Sequence, residues 1–442
     1  MFDEYLCRLR RFAFWNLDRI KGSPIKSAYN EIKKIDSLDS NDRFIEEYQT
    51  IQLEKLIFHA VNTTKIYSSF NNRARLAEFP VVNKNLIRNN QQDYISEKYK
   101  ISELYKMSTS GSTGTPFVCY QDYNKKRRVN AEIIYYSEKA GYSVGNNLIF
   151  LRALTDKSRK TKFQQWIQNE SLIDISSMDN KKINKILEGI SKSSKNGSMI
   201  LAYASTYDAF NDYFSKNGIS IIPKVNITGI VSSSEMLFDH TRNKMKQIFN
   251  CKVLSRYSNQ ENGVIGQDDK ENNVFILNEA HYIVEIFHLE KDEIVPEGDI
   301  GRIVITDLYN TGMPMIRYDT GDIGSITMIK YKGKMKKAIN NFGGRKVDII
   351  YDSYGNRLSP HIITNNFWAF PEIKQYQFIQ KSANSYVVKI NMEEKSFNID
   401  TVRIMLKRLL GDKANISIEL VDEIPELASG KRKYVISEIE KT

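Results

Sequence analysis

Val225-Asn226-Ile227-Thr228-Gly229-Ile230-Val231 leads into Ser232-Ser233-Ser234-Glu235, a helical pattern over Glu235–Phe249, and then Val253-Leu254-Ser255-Arg256-Tyr257. A β-leaning run, a polar cluster, a helix and a second β-leaning run make one β–α–β unit. The same grammar extends upstream. Leu148–Leu151 reads as a strand, and Met199–Tyr203 as another, followed by a helix that ends near Gly218. The alternation over residues 147–260 predicts an α/β fold with a largely parallel, layered sheet. Ligands on such sheets collect beyond the carboxyl ends of the strands. The polar clusters Ser205-Thr206, Ser232–Glu235 and Ser258-Asn259-Gln260-Glu261 fall at those ends, which points to one shared site.

The flanks differ. Residues 1–21 read as a basic amphipathic helix with Leu6, Leu9, Ala13, Leu17 and Ile20 at helical spacing and Arg8, Arg10 and Arg11 beside them. Packing on the protein body is the expectation for it, ahead of membrane contact. Gly22-Ser23-Pro24 ends the segment, and a later helix aligns Leu53, Leu56, Ile57 and Ala60. Residues 274–329 are β-rich, with turns expected at Pro296-Glu297-Gly298-Asp299 and Thr320-Gly321-Asp322. From residue 347 the character changes. A strand at Tyr386–Met392, a helix marked by Val402, Met405, Leu406 and Leu409 and closed by Gly411, and a strand at Ile416–Val421 outline a compact α+β unit.

Composition excludes several classes. The 442 residues are 41% hydrophobic and 26% charged, enough to bury a core and coat it. No apolar run of about 18 residues exists, and the first residues lack a secretory pattern, so a cytoplasmic protein is expected. Lysine and arginine number 64 against 53 acids, a net +11, but no dense basic tract carries interleaved aromatics. Nucleic acid is therefore not the expected partner. Cys7, Cys119 and Cys251 have neither disulfide nor zinc spacing, and the five histidines (His59, His240, His281, His288, His361) form no metal-like cluster.

Five motifs remain. Ser110-Gly111-Ser112-Thr113-Gly114-Thr115-Pro116 is a hydroxyl- and glycine-rich loop between Ile101–Met107 and Phe117-Val118-Cys119-Tyr120. Its amides and hydroxyls suit a polyphosphate, but it has no lysine and opens no helix, so it is not a Walker loop. Arg256-Tyr257-Ser258-Asn259-Gln260-Glu261-Asn262-Gly263 ends a strand with a carboxylate. Arg317-Tyr318-Asp319-Thr320-Gly321-Asp322, Gly343-Gly344-Arg345-Lys346-Val347-Asp348 and Ser429-Gly430-Lys431 follow in order.

This set, with Phe79-Pro80-Val81-Val82-Asn83-Lys84 ahead of the loop, resembles the adenylate-forming (acyl-AMP) superfamily. It is most similar to the phenylacetate–CoA ligase branch and its capsular polysaccharide biosynthesis relatives. The resemblance implies a large N-terminal domain over 1–346, of layered α/β sheets plus a β-rich subdomain, and a small mobile C-terminal α+β lid over 347–442. It implies ATP and Mg²⁺ as cofactors. Ser110, Gly111, Ser112, Thr113, Gly114 and Thr115 would hold the β- and γ-phosphates, and Phe117 stands where relatives often carry lysine. Glu261 would ligate Mg²⁺. The usual Tyr-Gly-x-Thr-Glu reads Tyr257-Ser258-Asn259-Gln260-Glu261, so Ser258 and Gln260 are departures. Asp322 would take the ribose hydroxyls, and Arg345 the ribose and phosphate at the hinge. A pivot carboxylate is common two residues later, where Val347 precedes Asp348, and the pivot is left unassigned. Lys431 would bridge the attacking carboxylate and the α-phosphate. Ser232, Ser233, Ser234 and Glu235 resemble the segment flanking adenine, and Tyr203 a tyrosine of the same cleft.

The implied reaction is activation of a carboxylic acid as acyl-AMP with loss of pyrophosphate. Transfer of the acyl group to a thiol (coenzyme A or a carrier-protein phosphopantetheine) or to an amine such as an amino sugar follows. The capsule relatives point toward surface polysaccharide biosynthesis, and the branch allows a homodimer. The altered Ser258, Gln260 and Val347 keep an alternative open, a nucleotide- or acyl-binding protein of the same fold that has lost catalysis.

Overall fold

The computed structural model describes residues 2–108, 117–152, 160–175, 180–194, 197–218, 225–233, 237–268, 274–345, 397–425 and 434–439, together with most of 350–392. The chain divides into two compact units, one of 1–299, 303–320 and 325–340, the other of 300–302, 321–324 and 341–442.

The first unit opens with α1 (Phe2–Ile20), α2 (Pro24–Asp36) and α3 (Arg43–Thr63). The Asp18 carboxylate accepts the amides of Ile25 and Lys26 at 3.1 and 2.9 Å, satisfying two of the donors that the start of α2 leaves open. Short helices α4 (Lys84–Asn89) and α5 (Gln91–Tyr94) precede the hairpin of β1 (Tyr105–Ser108) and β2 (Val118–Gln121). Helix α6 (Tyr123–Ala140) then crosses to the main sheet.

The alternation expected from the sequence follows. The order is β3 (Asn147–Arg152), α7 (Lys162–Gln168), β4 (Glu170–Asp174), α8 (Asn180–Ser193), β5 (Ser198–Tyr203), α9 (Ala204–Asn217), β6 (Ile227–Ser233), α10 (Asp239–Phe249) and β7 (Lys252–Asn259). These strands run parallel in the order β4-β3-β5-β6-β7. Ile149, Leu151, Ile200 and Ile230 meet Ile186, Ile190, Tyr207, Phe210 and Met245 of the crossover helices in one core. Each such side chain contributes roughly 1.5–3 kcal/mol on burial. Helix α6 closes on β6 at two glycines. A Cβ on Gly229 would lie 1.8 Å from the Ala140 carbonyl oxygen, and one on Gly141, at φ +108°, 2.3 Å from that of Thr228.

The sheet continues through β8 (Gly263–Asp268), β9 (Phe275–Leu277), β10 (Tyr282–Phe287), β11 (Gly301–Asp307), β12 (Tyr318–Tyr331) and β13 (Lys334–Arg345). Eleven strands stand in the order β10-β11-β12-β13-β9-β8-β7-β6-β5-β3-β4. The turn at Pro296 is present, closed by the Asp299 amide on the Pro296 carbonyl. The turn expected at Thr320-Gly321-Asp322 is not: those residues run inside β12, where Gly321 takes φ +80° with nothing among the described residues near its missing Cβ. Glycine there marks an irregular strand rather than a reversal.

The second unit holds a small hairpin, β14 (Ile350–Tyr351) with β15 (Arg357–Leu358), and a four-stranded sheet. β16 (Ile373–Gln380) and β17 (Ser385–Met392) are antiparallel, while β18 (Asn415–Leu420) and β19 (Val435–Ser437) add parallel on the two edges. Helix Ile399–Leu410 buries Val402, Leu406 and Leu410 against Phe378, Tyr386, Val388 and Ile390. This is the α+β unit read from the sequence.

Candidate active site

The parallel strands end in register. Tyr203 of β5 faces Ser233 of β6, and Ser233 faces Arg256 of β7. Two of the polar clusters read from the sequence, at Ser232-Ser233 and Ser258-Asn259, therefore share one end of the parallel strands, with the third, Ser205-Thr206, in the first turn of α9 beside them. Arg256 and Tyr257 point to opposite faces of the strand, as successive residues must. Arg256 is buried and reaches Ser137 Oγ of α6 at 3.0 Å. Burial brings its guanidinium down to about 10. Tyr257 is buried too, its hydroxyl 3.4 Å from Thr320 Oγ1.

β7 ends in a tight turn to β8, and this turn carries Glu261. The Asn262 amide donates to Asn259 Oδ1 at 2.7 Å. Gln121 Nε2, from β2, donates to the Glu261 carbonyl at 3.0 Å. The Asn262 carbonyl lies 2.8 Å from the Tyr282 hydroxyl, and the Val264 amide donates to Glu132 Oε2 at 2.7 Å. Gly263 is required here. It takes φ +125°, and a Cβ would come within 2.3 Å of Glu132 Oε2.

The Glu261 side chain is 1% exposed. Its Oε1 faces Lys84 Nζ at 2.7 Å and accepts the Tyr318 hydroxyl at 3.0 Å. Its Oε2 is buried with no hydrogen-bond partner among the described residues. Such an atom is costly to bury and marks a place kept for something else.

Lys84 was not singled out as a site residue by its sequence surroundings alone. It stands at the first position of α4, whose preceding Asn83 accepts the amides of Asn85 and Leu86, each at 3.0 Å. Val82 bridges Tyr318 in parallel: its amide donates to the Arg317 carbonyl at 2.9 Å, and its carbonyl accepts the Asp319 amide at 2.7 Å. Arg317 clamps the preceding chain. Its guanidinium forks onto Glu285 at 3.1 and 2.7 Å and donates to the carbonyls of Ala77 and Phe79 at 3.2 Å. The Arg317-Tyr318 pair thus sets both Lys84 and Glu261. Phe117, where a lysine was the family expectation, is buried, and the Lys84 ammonium lies 5.8 Å from its ring. Cys119 of β2 is also buried. Burial and the nearby Glu261 charge push its thiol well up, which removes it as a nucleophile.

Behind the turn lies a second charged cluster. Helix α6 brings Lys125, Arg128 and Glu132 to one face. Lys125 Nζ is 2.8 Å from Asp307 Oδ2 and donates to the Tyr282 hydroxyl at 3.0 Å. Glu132 Oε1 meets His281 Nδ1 at 2.6 Å and the Tyr282 hydroxyl at 2.7 Å. Burial raises Glu132, but Lys125, His281 and the Val264 amide outweigh it and hold the carboxyl below its usual value. Burial takes His281 down to about 4, opposed by Glu132 and helped by Arg128 and Lys125. Geometry agrees: Arg128 donates to His281 Nε2 at 3.1 Å, so the ring is neutral with its proton on Nδ1.

The other expected residues are placed as follows. Ser233 and Ser258 are half-buried at the ends of β6 and β7. Asp322 lies half-buried in β12, and Arg345 is the last residue of β13; both are counted with the second unit. Ser110–Thr115, Ser234, Glu235, Val347, Asp348 and Lys431 lie outside the described residues.

Residues 350–438 match the family described as the CapK C-terminal domain. Over 437 residues the chain is 24% identical to Protein CapK of Staphylococcus aureus, covering 94% of this chain and 93% of that one. Phenylacetate-coenzyme A ligase of Pseudomonas putida is 25% identical over 163 residues, 37% of this chain and 31% of the ligase. Among solved structures, a 2-hydroxyisobutyryl-CoA ligase in the postadenylation state superposes with a TM-score of 0.70 at 15% identity, covering 88% of each chain. ATP-bound MatB of Rhodopseudomonas palustris gives 0.54 at 16% identity, over 74% of this chain and 66% of MatB. Along 94% of its length the chain is thus similar in sequence to CapK, and its fold is that of the acyl-CoA ligases with which it superposes.

Proposed function

We propose that this protein is an ATP-dependent acid ligase that makes an acyl-AMP. The observation that carries the reading is the buried Glu261 carboxylate, with Oε1 held by Lys84 and Tyr318 and Oε2 left without a partner among the described residues. A hard oxygen of this kind fits Mg²⁺, which takes one or two carboxylates and completes its shell with substrate phosphates and water. Among the described residues no group of three or more metal-binding side chains exists, so the triphosphate itself would supply much of the shell. The ion, when bound, would neutralise charge on the phosphate oxygens.

The chain's own residues then position and stabilise. The carboxylate of the substrate attacks the α-phosphorus, the bond to the β-phosphate oxygen breaks, and pyrophosphate leaves. The loop 110–116 would cradle the β- and γ-phosphates, and Lys84 brings a positive charge that Phe117 does not provide. Ser232–Glu235 would flank adenine, Asp322 would accept both ribose hydroxyls, and Arg345 would contact ribose and phosphate. Lys431 would hold the attacking carboxylate against the α-phosphate as charge spreads. A lid over 347–442, turning near residues 345–348, would admit the acceptor for the second half-reaction. Thiol or amine then takes the acyl group and AMP is released. Likeness to CapK supports a place in surface polysaccharide biosynthesis, and the CoA ligase relatives support coenzyme A as one acceptor.

Exchange of labelled pyrophosphate into ATP, run over aryl, fatty, hydroxy and amino acids, tests this. At least one acid should drive exchange. Lys431→Ala should cut exchange by several orders of magnitude, roughly the scale of a transition-state contact, while sparing transfer from supplied acyl-AMP. ATP binding without exchange for any acid would favour a non-catalytic binder instead.

A further inference from the structure

Helix α1 is amphipathic, but its apolar stripe faces away from the protein. Its inner face carries Cys7 and Asp18, both buried, and it lies so close to the body that a Cβ on Gly145 would stand 2.2 Å from the Cys7 carbonyl. Half a turn away, at 100° per residue, lie Leu9 and Ile20, with Tyr5, Phe12 and Leu17 to either side. All five are exposed, Phe12 at 69% and Ile20 at 81%. Helix α7 adds Phe163, Trp166 and Ile167, also exposed, the two rings stacked at 6.3 Å. Arg10 joins the two helices: its guanidinium donates to the Trp166 carbonyl at 3.0 Å and lies 5.5 Å from the indole.

The border of this region is basic. Arg8 and Arg19 are exposed on the flank beside Phe12, and Lys21 and Lys162 are exposed at the ends of the two helices. Of the nearby acids, Glu4 pairs with Arg8 at 2.8 Å, Asp18 is buried in the α2 cap, and Glu170 is taken by Lys160. An outward stripe of Leu, Ile, Phe, Tyr and Trp with arginine at its edges is the composition of a helix that lies in a lipid interface. From Tyr5 to Ile20 it runs about 22 Å along the surface. No described helix is long and apolar enough to cross a membrane, so the contact is superficial.

We propose that α1 and α7 form a docking face for an anionic membrane surface, with the aromatic and aliphatic side chains entering the headgroup layer and the arginines meeting lipid phosphate. Charge complementarity selects this occupant over an apolar protein groove. The proposal rests on these two helices alone and stands apart from the adenylating chemistry.

Flotation of the full-length protein with phosphatidylcholine vesicles, with and without phosphatidylglycerol, tests it. Binding should require phosphatidylglycerol and weaken as salt is raised. The double change Phe12→Asp/Ile20→Asp should lower partitioning by roughly tenfold or more, with the melting temperature unchanged because both side chains already face solvent. Arg19→Glu should lower it by roughly fivefold. No flotation on anionic vesicles overturns the proposal, as does undiminished binding of the double variant. Dimerisation by light scattering that the double variant abolishes, without vesicle binding, would assign the face to a second copy.

Discussion

Glu261 and Glu132 are buried carboxylates that serve the same turn, and they are satisfied to different degrees. Glu132 has no free oxygen: Oε1 faces His281 and Tyr282, with Lys125 at 3.9 Å, and Oε2 takes the Val264 amide. Glu261 has one oxygen filled and one that meets no partner among the described residues. Burying a charge is costly until every lone pair is met. The first cluster meets that cost within the protein and fixes the geometry of the turn. The second leaves part of it standing, which makes sense only where a ligand completes the site.

Breaking the first cluster should give the largest effect. Glu132→Ala leaves the His281 ring and the Val264 amide without their partner in a fully buried place, and should cost about 3–5 kcal/mol in urea unfolding. Glu132→Gln, which keeps the shape and part of the hydrogen bonding, should cost less. If both variants melt like the parent, the cluster is not what holds the turn.

The same cluster should be visible in pH dependence. The folded His281 sits at about 4, below the 6.5 of a free imidazole. Between those values the unfolded chain takes up a proton that the folded one refuses. Stability is therefore full above pH 6.5 and falls as pH drops toward 4, by about 1.4 kcal/mol per pH unit from this group. His240, lowered by burial to about 4, adds a slope of the same sign. His281→Asn should remove one of the two contributions; an unchanged slope between pH 6.5 and 4.5 would mean that His281 is already charged in the fold.

What could be read in the sequence follows from the same physics. Leu148–Leu151 and Met199–Tyr203 were legible because strands buried on both faces are continuous apolar runs. β4 was not, because an edge strand with Glu170, Ser171 and Asp174 has no such run. The helix over 1–21 was legible from its period, but not the direction of its stripe. The pattern in α2 looks alike, yet Ile25, Ala28, Ile32 and Ile35 pack inward on Ala131, Ile134 and Tyr136. Period gives the helix, and only tertiary packing decides which face is covered. Glu261 was legible from its motif. The partnership with Lys84 was not, since it depends on Arg317 reaching back to the carbonyls of Ala77 and Phe79.

The smaller stability effects belong to the open site. Lys84→Met removes the cation from Oε1, but the Lys84 side chain is 32% exposed, so water shares the loss. A cost of about 1–2 kcal/mol is expected, below that of Glu132→Ala. Glu261→Gln should change the melting temperature least. It loses the Lys84 ion pair, whose partly exposed lysine turns to water, but relieves a buried charge with an oxygen unpartnered among the described residues and keeps an acceptor for the Tyr318 hydroxyl, so loss and gain nearly cancel, within about 1 kcal/mol. Yet the same change should lower pyrophosphate exchange by about a hundredfold or more and flatten its magnesium titration. A site that costs stability when empty and activity when removed is the pattern expected of function. A Glu261→Gln protein that unfolds early and still exchanges at the parental rate would place Glu261 with Glu132, as structure, and leave the cleft without its metal ligand.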